Sequence, residues 1–297
     1  MVTAVTGRAG VVGLGLCVID HLYVVDDLDI SSERTRYRER LVSVGGMITT
    51  AMAEAVRLGC PAQVLSVIGD DAAGRAAARA LRSAGVGTRF LRRSPRVPTT
   101  FALVFVDRRS GERRFVVADR RGIERRAPTI DLSAIRRGRV LLIDGHFPTD
   151  AALAVRRAAE RGVPVVGDFS RPSPEIRRLL PHVDHAVVPE SFARAFAPGR
   201  VRDALFRLRD EFGCNPVVTQ GAKGGLWLDG ARVRRFQTPR VQVRDTTGAG
   251  DAFHGAFAAG LLQGLPLARN LERAARSGAR CCTALGGFPS VVRSASR

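Results

Sequence analysis

Lysine is all but missing from this chain. It occurs once, at Lys223, among 47 basic residues, so the other 46 are arginine. Aromatics are scarce as well, at 6% with one Trp and two Tyr. That scarcity excludes the basic-aromatic platform on which single-stranded nucleic acid stacks. The five cysteines (Cys17, Cys60, Cys214, Cys281, Cys282) contain no CxxC pair and no paired-ligand spacing. They argue against a zinc site and a disulfide framework, and for reduced thiols in a cytoplasm. Long apolar runs are absent too. The longest near the N-terminus, Val11 to Ile19, stops at Asp20-His21 and lacks a small-residue cleavage site. It is too short to span a bilayer, so it reads as a strand of a protein with no membrane partner. His182 and His185 sit three apart beside Pro181 and Asp184, where a loop enters a strand, and are expected to be solvated.

What is present is ample apolar material, 45% of 297 residues, and a net charge of +19. The length suits one large α/β domain or two ordinary ones. The arginines come as scattered doublets rather than one block, the reading of a solvated, arginine-rich surface. The densest stretch runs from Arg89 to Arg126, with twelve arginines and four acids.

Strands are expected at Val11–Ile19, Val64–Ile68, Val140–Ile143, Val165–Val166, His185–Val188 and Val217–Thr219. Helices are expected from Gly46 to Gly59, over Asp71–Ala84, Asp150–Arg161, Pro174–Leu180 and Val201–Phe212, and over about Ala249–Gln263 and Pro266–Thr283. This alternation implies a largely parallel sheet covered on both faces. Leu226–Leu228 and Arg232–Phe236 pair across Asp229-Gly230. Segments near 22–44 and 97–118 do not fit the parallel sheet and read as a small accessory sheet.

The most informative segment is Asp245 to Asp251, two acids enclosing Gly248 and Gly250, followed by an apolar helix. Amides at a helix start, with the helix dipole behind them, form an anion site suited to phosphate. A carboxylate in the first turn then suits a general base that takes a proton from an attacking hydroxyl. Gly13-x-Gly15-x-x-Val18 is half a dinucleotide fingerprint with no helix behind it, and the Gly221–Gly224 stretch lacks P-loop spacing with Lys223 expected in solvent.

Asp245–Asp251 with Phe253 resembles the signature of the ribokinase-like (PfkB) carbohydrate kinases. The stretch from Gly45 to Gly59 is similar to that family's first signature. Val218–Gly224 resembles its nucleotide-side strand and loop, and Gly13 to Asp20 resembles its first strand, ending on a sugar-binding acid. The matches run in family order from about residue 11 to 290, and look closest to the branch holding sulfofructose kinase and ketohexokinase. The resemblance implies a three-layer α/β/α sandwich with a mostly parallel central sheet in one domain, 1–297, and a β lid from about 22–44 and 97–118. It implies phosphorylation of a hydroxymethyl group of a small carbohydrate by ATP with Mg2+. Asp251 would be the base, with the amides of Gly248, Ala249 and Gly250 on the transferring group. Asp20, Gly45, Gly46 and Thr50 would face the sugar, and Thr219, Gly221 and Gly224 the nucleotide. Asp245, Thr247 and Ser290 fall where many members bind K+.

Two departures stand out. Thr50 replaces an asparagine common in the family. The NxxE element tied to magnesium falls at Pro189–Phe192 with both key positions apolar and Glu190 one place along, so magnesium must be held through water, Glu190, Asp168 or the nucleotide itself. One of the lid arginines, Arg108 or Arg113, is a candidate for reading an anionic sugar bearing phosphate, sulfonate or carboxylate. His146, after a strand end, is a further candidate. A phosphosugar or nucleoside kinase of the same fold, or a non-catalytic sugar- or nucleotide-binding relative, is the alternative; the intact base argues against silence. The expected partners are sugar and ATP, without nucleic acid, and a second copy meeting through the lid.

Overall fold

A computed structural model describes residues 9–29 and 33–288. The first half runs β1 (Gly10–Leu14), β2 (Val18–Val25), β3 (Tyr37–Gly45), α1 (Met47–Arg57), β4 (Ala62–Gly69), α2 (Ala72–Ser83), β5 (Leu91–Ser94), β6 (Phe101–Asp107), β7 (Arg113–Val117) and α3 (Arg121–Arg126). The second runs β8 (Arg139–Ile143), α4 (Pro148–Arg161), β9 (Val165–Asp168), α5 (Pro174–Leu179), β10 (His185–Pro189), α6 (Glu190–Phe196), α7 (Val201–Phe212), β11 (Asn215–Thr219), β12 (Gly225–Asp229), β13 (Arg232–Phe236), α8 (Ala249–Leu262) and α9 (Leu267–Cys281).

Nine strands form the large sheet, in the order β13-β12-β11-β10-β9-β8-β1-β4-β5. It is parallel except for β12 and β13, which fold back as a hairpin across Asp229 and Arg232. The central strands are Val/Leu/Ile runs buried on both faces, as a sheet sandwiched between helices requires. One apolar cluster joins the sheet to α1, α2, α8 and α9. The other joins its opposite face to α4, α5, α6 and α7. α8 is apolar nearly all round, with Ala252 through Gly260 buried, because it lies between the sheet, α1 and α9.

The chain leaves β1 in one direction, to β4 and β5, and later returns on its other side to β8. That reversal opens a crevice at the carboxyl ends of β1 and β8, where open α/β sheets hold ligands. Over it lies the second, smaller sheet, β3-β2-β6-β7, which takes in the residues near 22–44 and 97–118 expected to form an accessory sheet. Its inward face carries Asp20, Leu22, Ala102 and Val104, all buried.

Several expectations needed correction. The run Val11–Ile19 is two strands in different sheets: β1 ends at Leu14, and the chain lifts through Gly15-Leu16-Cys17 into lid strand β2. Apolar continuity hid the break because both strands are buried. β5, α3 and α6 were not expected. Arginines mask the first two, and α6 occupies the segment matched to the NxxE element. His185 is not solvated: it is half-buried, with its ring edge-on to Phe257 at 5.4 Å between centroids. Among the described residues no helix is long and apolar enough to cross a membrane.

Candidate active site

The start of α8 lies at the carboxyl end of the large sheet. Gly248 precedes it with a left-handed backbone (φ 76°), and a side chain there would meet Gly287 Cα at 2.5 Å. Glycine is therefore required both for the turn and for the close approach. The first intrahelical bond is Ala252 N to Gly248 O (2.8 Å), so the amides of Gly250 and Asp251 emerge from the helix end. Of the amides singled out in the sequence, that of Ala249 is turned back onto Thr246 O at 3.3 Å. In front of Gly250 an added Cβ would meet nothing within 4 Å, so the space before this turn is open.

Asp251, half-buried in the first turn, has its carboxyl pushed up to about 8 by burial and by the neighbouring charge of Asp168. Asp20 is likewise raised, to about 7, by burial and by Asp245. Asp20 stands on β2, not at the end of β1. Its carboxylate lies so close over Gly45 that a Cβ there would be 2.0 Å from Oδ2. Thr50, buried on α1, brings its methyl group toward Gly248. The candidate sugar residues Asp20, Gly45, Gly46 and Thr50 therefore converge with Asp251 from the lid and α1.

On the other flank, Thr219 ends β11, and Gln220 N donates to Gly224 O (2.8 Å) to close the turn through Gly221 and Gly224. Lys223 is exposed on that turn. Thr238 Oγ1 donates to Gly221 O (3.0 Å), and from Thr238 a cavity of about 650 Å³ extends between the β12–β13 hairpin and α9, lined by Trp227, Arg234 and Arg276 among others. Glu190 begins α6 beside this turn. Its Oε2 accepts from Gln220 Nε2 (2.9 Å) and its Oε1 from Arg194 Nε (2.9 Å), which hold the carboxyl below its usual range.

Asp245 is fully buried. Its Oδ1 accepts from Thr247 N and its Oδ2 from Gly286 N, each at 2.8 Å. Thr247 Oγ1 is buried without a hydrogen-bond partner. Ser290 lies outside the described residues.

The small sheet is fastened to this loop. Gly111 O, in the β6–β7 connection, accepts from Thr246 N (3.0 Å) and Thr246 Oγ1 (2.9 Å), and Arg113 donates to Thr246 Oγ1 (2.6 Å). Arg108 instead pairs with Asp26 (3.0 Å), both side chains exposed.

Sequence reasoning passed over Asp144, Glu124 and Arg120 here. Asp144 follows β8 and Asp168 ends β9, and both carboxyls are raised by burial. Asp144 accepts from Leu16 N (2.8 Å) and His146 N (3.0 Å). His146 Nδ1 meets Glu124 Oε1 at 2.7 Å, and Arg120 donates to Thr100 Oγ1 (2.6 Å), so α3 and the lid are tied to the end of β8. Burial opposes charge on His146, but Asp144 and Glu124 outweigh it and raise its pKa. The available signal was positional: an acid at the carboxyl end of an apolar strand (Leu142-Ile143-Asp144, Val165–Asp168).

The sequence and the fold have counterparts. Aminoimidazole riboside kinase of Salmonella typhimurium is 27% identical over 306 residues, covering 92% of each chain. The structure of Arabidopsis thaliana ribokinase complexed with ribose and ATP superposes with a TM-score of 0.74 at 22% identity over 96% of each chain. An Escherichia coli chain described as a ribokinase II, in complex with ATP and Mg2+, gives 0.78 at 20% identity over 94% of each chain. These relatives are ribokinases and a riboside kinase, and lend no specific support to the sulfofructose kinase and ketohexokinase branch. The model of the pfkB family carbohydrate kinases matches residues 8–291, essentially the whole described chain. The chain belongs to that family, as a carbohydrate kinase with the ribokinase-like fold.

Proposed function

We propose that this kinase transfers the γ-phosphoryl group of ATP to a hydroxymethyl oxygen of a small carbohydrate, with Asp251 as general base. The observation that carries the reading is the first turn of α8. A carboxyl of raised proton affinity stands there beside outward-facing amides, between the Asp20–Gly45 side and the Thr219–Gly224 side. Asp20 orients the sugar hydroxyls. The attacking hydroxyl oxygen forms its bond to the γ-phosphorus as the bond from that phosphorus to the β–γ bridging oxygen breaks, and Asp251 takes the hydroxyl proton. The amides of Gly250 and Asp251 and the α8 dipole stabilise charge on the transferring group.

Magnesium, when bound, supplies neutralisation of the phosphate charge. Glu190 is ionised, but both its oxygens are engaged by Gln220 and Arg194, which fits a hold on the ion through water. A K+ ion beside the loop fits Asp245 and the unpartnered Thr247 hydroxyl. An anionic sugar rests on Arg113 alone, since Arg108 is spent on Asp26. The five unpaired cysteines accord with a cytoplasmic setting.

The test is a coupled ADP-release screen over neutral sugars, sugar phosphates, sulfonated sugars and nucleosides, repeated with Asp251→Asn. That substitution should lower kcat at least about 100-fold while ATP affinity stays within about threefold. Near-normal turnover by Asp251→Asn removes Asp251 as the base.

A further inference from the structure

We propose that the amino-terminal edge of the large sheet holds a second anion site, in which Arg139 and two rim arginines take the phosphoryl group of hydrogen phosphate or of a small hydroxylated phosphomonoester. The proposal is independent of the reading of Asp251, because this site lies at the opposite ends of the strands. β1 and β8 each run five residues between it and the crevice, about 15 Å.

The strand register builds the floor of the site. Arg139 opens β8 opposite Gly10 of β1, and Gln63 of β4 stands opposite Val12. Side chains alternate along a strand, so Arg139 and Gln63 leave the sheet on one face. Two positions further along, Leu141 and Leu65 occupy that face as fully buried members of its apolar cluster. Arg139 thus puts a guanidinium where the pattern places an aliphatic side chain. Gly10 makes the room: a Cβ there would lie 2.8 Å from Arg139 Nη1.

Arg139 is 5% exposed, and its Nη1 is buried without a hydrogen-bond partner. Gln63 Oε1 is in the same condition. Both residues line a cavity of about 280 Å³ with Phe90 and Ser133, and the exposed Arg89 and Arg136 stand at its rim. Among the described residues no acid forms an ion pair with any of the three arginines, and the segments outside them contain no Asp or Glu. Asp131 is the acid whose field reaches this rim. It acts on Arg89 and Arg157, and its carboxylate already accepts from Ser133 N at 2.8 Å. Burial and the like charge of Arg136 lower the proton affinity of Arg139, the response of a cation that no acid of the chain balances.

A buried cation without a counter-charge is costly, and a ligand anion removes that cost. The forked guanidinium matches two oxygens of a phosphoryl group. Gln63 Oε1 accepts from a hydroxyl, carried on phosphorus by hydrogen phosphate and on carbon by the phosphomonoester. The volume falls just below the usual ligand range of roughly 300–1,000 Å³, which restricts the occupant to a small molecule.

The test uses the whole chain saturated with a non-hydrolysable ATP analogue and Mg2+, so that the phosphate positions of the transfer site are filled. Titration calorimetry with inorganic phosphate and, separately, with glycerol 3-phosphate should show one further site in the wild type. Arg139→Met should weaken it at least about tenfold, and Arg89→Ala with Arg136→Ala several-fold. The probe with the lower Kd identifies the source. In phosphate-free buffer Arg139→Met should melt no lower than wild type, because it removes an unbalanced buried charge, and added phosphate should raise Tm in the wild type only. Absence of binding by both probes, undiminished binding in Arg139→Met or in the rim variant, or a lower Tm of Arg139→Met in phosphate-free buffer each overturns the proposal.

Discussion

Three carboxyls at the mouth of the crevice, Asp20, Asp168 and Asp251, hold their protons more tightly in the folded chain than outside it. Folding therefore takes up protons as pH rises above the ordinary carboxyl range, and linkage fixes the sign. The associated stability is fully present below about pH 4, the range of the unfolded carboxyls, and is lost as pH climbs through the folded values of about 7 and about 8. The ligand-free protein should melt at a lower temperature at pH 8.5 than at pH 5.5. Asp251→Asn should raise Tm at pH 8.5 by roughly 3 °C and have a smaller effect at pH 5.5, as scanning calorimetry would show. A pH-independent difference between the two proteins would contradict this account. Asp251 and its glycine neighbours were legible in the sequence because seven contiguous residues carry them. The meeting of Asp168 with His254 was not. They lie far apart in the chain, and their contact at 3.2 Å depends on β9 and α8 being laid across the same sheet end.

At the level of elements, most of the parallel sheet could be read from apolar runs and glycine stops, and most of the helices from their caps. Asp71, for example, caps α2 by accepting from Gly74 N at 2.7 Å. The passage from β1 to β2 could not, because a change of sheet leaves no mark on a run that stays buried throughout. The fastening of the lid was equally hidden. Thr246 receives Arg113 and donates to Gly111 O, so one hydroxyl joins the β6–β7 hairpin to the loop leading into α8. Thr246→Val should loosen that hairpin. Amide exchange across residues 101–117 should accelerate at least severalfold while α8 stays protected, with kcat down several-fold. Unchanged exchange in the hairpin would show that the lid is held elsewhere.

Over the whole molecule, the charge of +19 is dispersed rather than focused. Arg177 pairs with Glu211 and also lies over Phe196, and Arg244 pairs with Glu39 between the loop leading into α8 and β3. The lid sheet is the exception to this polar covering. Away from the crevice it shows Phe101, Tyr37 and Val116 at 56%, 57% and 49% exposure, beside Tyr23 and Phe105 stacked at 6.1 Å. A mixed sheet with an apolar outer face seeks a cover, and the same sheet of a second copy is the cover we propose. Light scattering should give about twice the 32.0 kDa chain mass, and Phe101→Glu should return it to the single-chain value. A wild-type protein that stays at the single-chain mass would rule the pairing out. The turn bearing Lys223 has a further consequence. A lysine-specific endoproteinase meets one target bond in the sequence, at the exposed crest of the turn we assign to nucleotide, and would divide the chain into residues 1–223 and 224–297. The rate of that single scission becomes a built-in occupancy gauge, slowed by ATP and indifferent to sugar, which needs no label and no turnover.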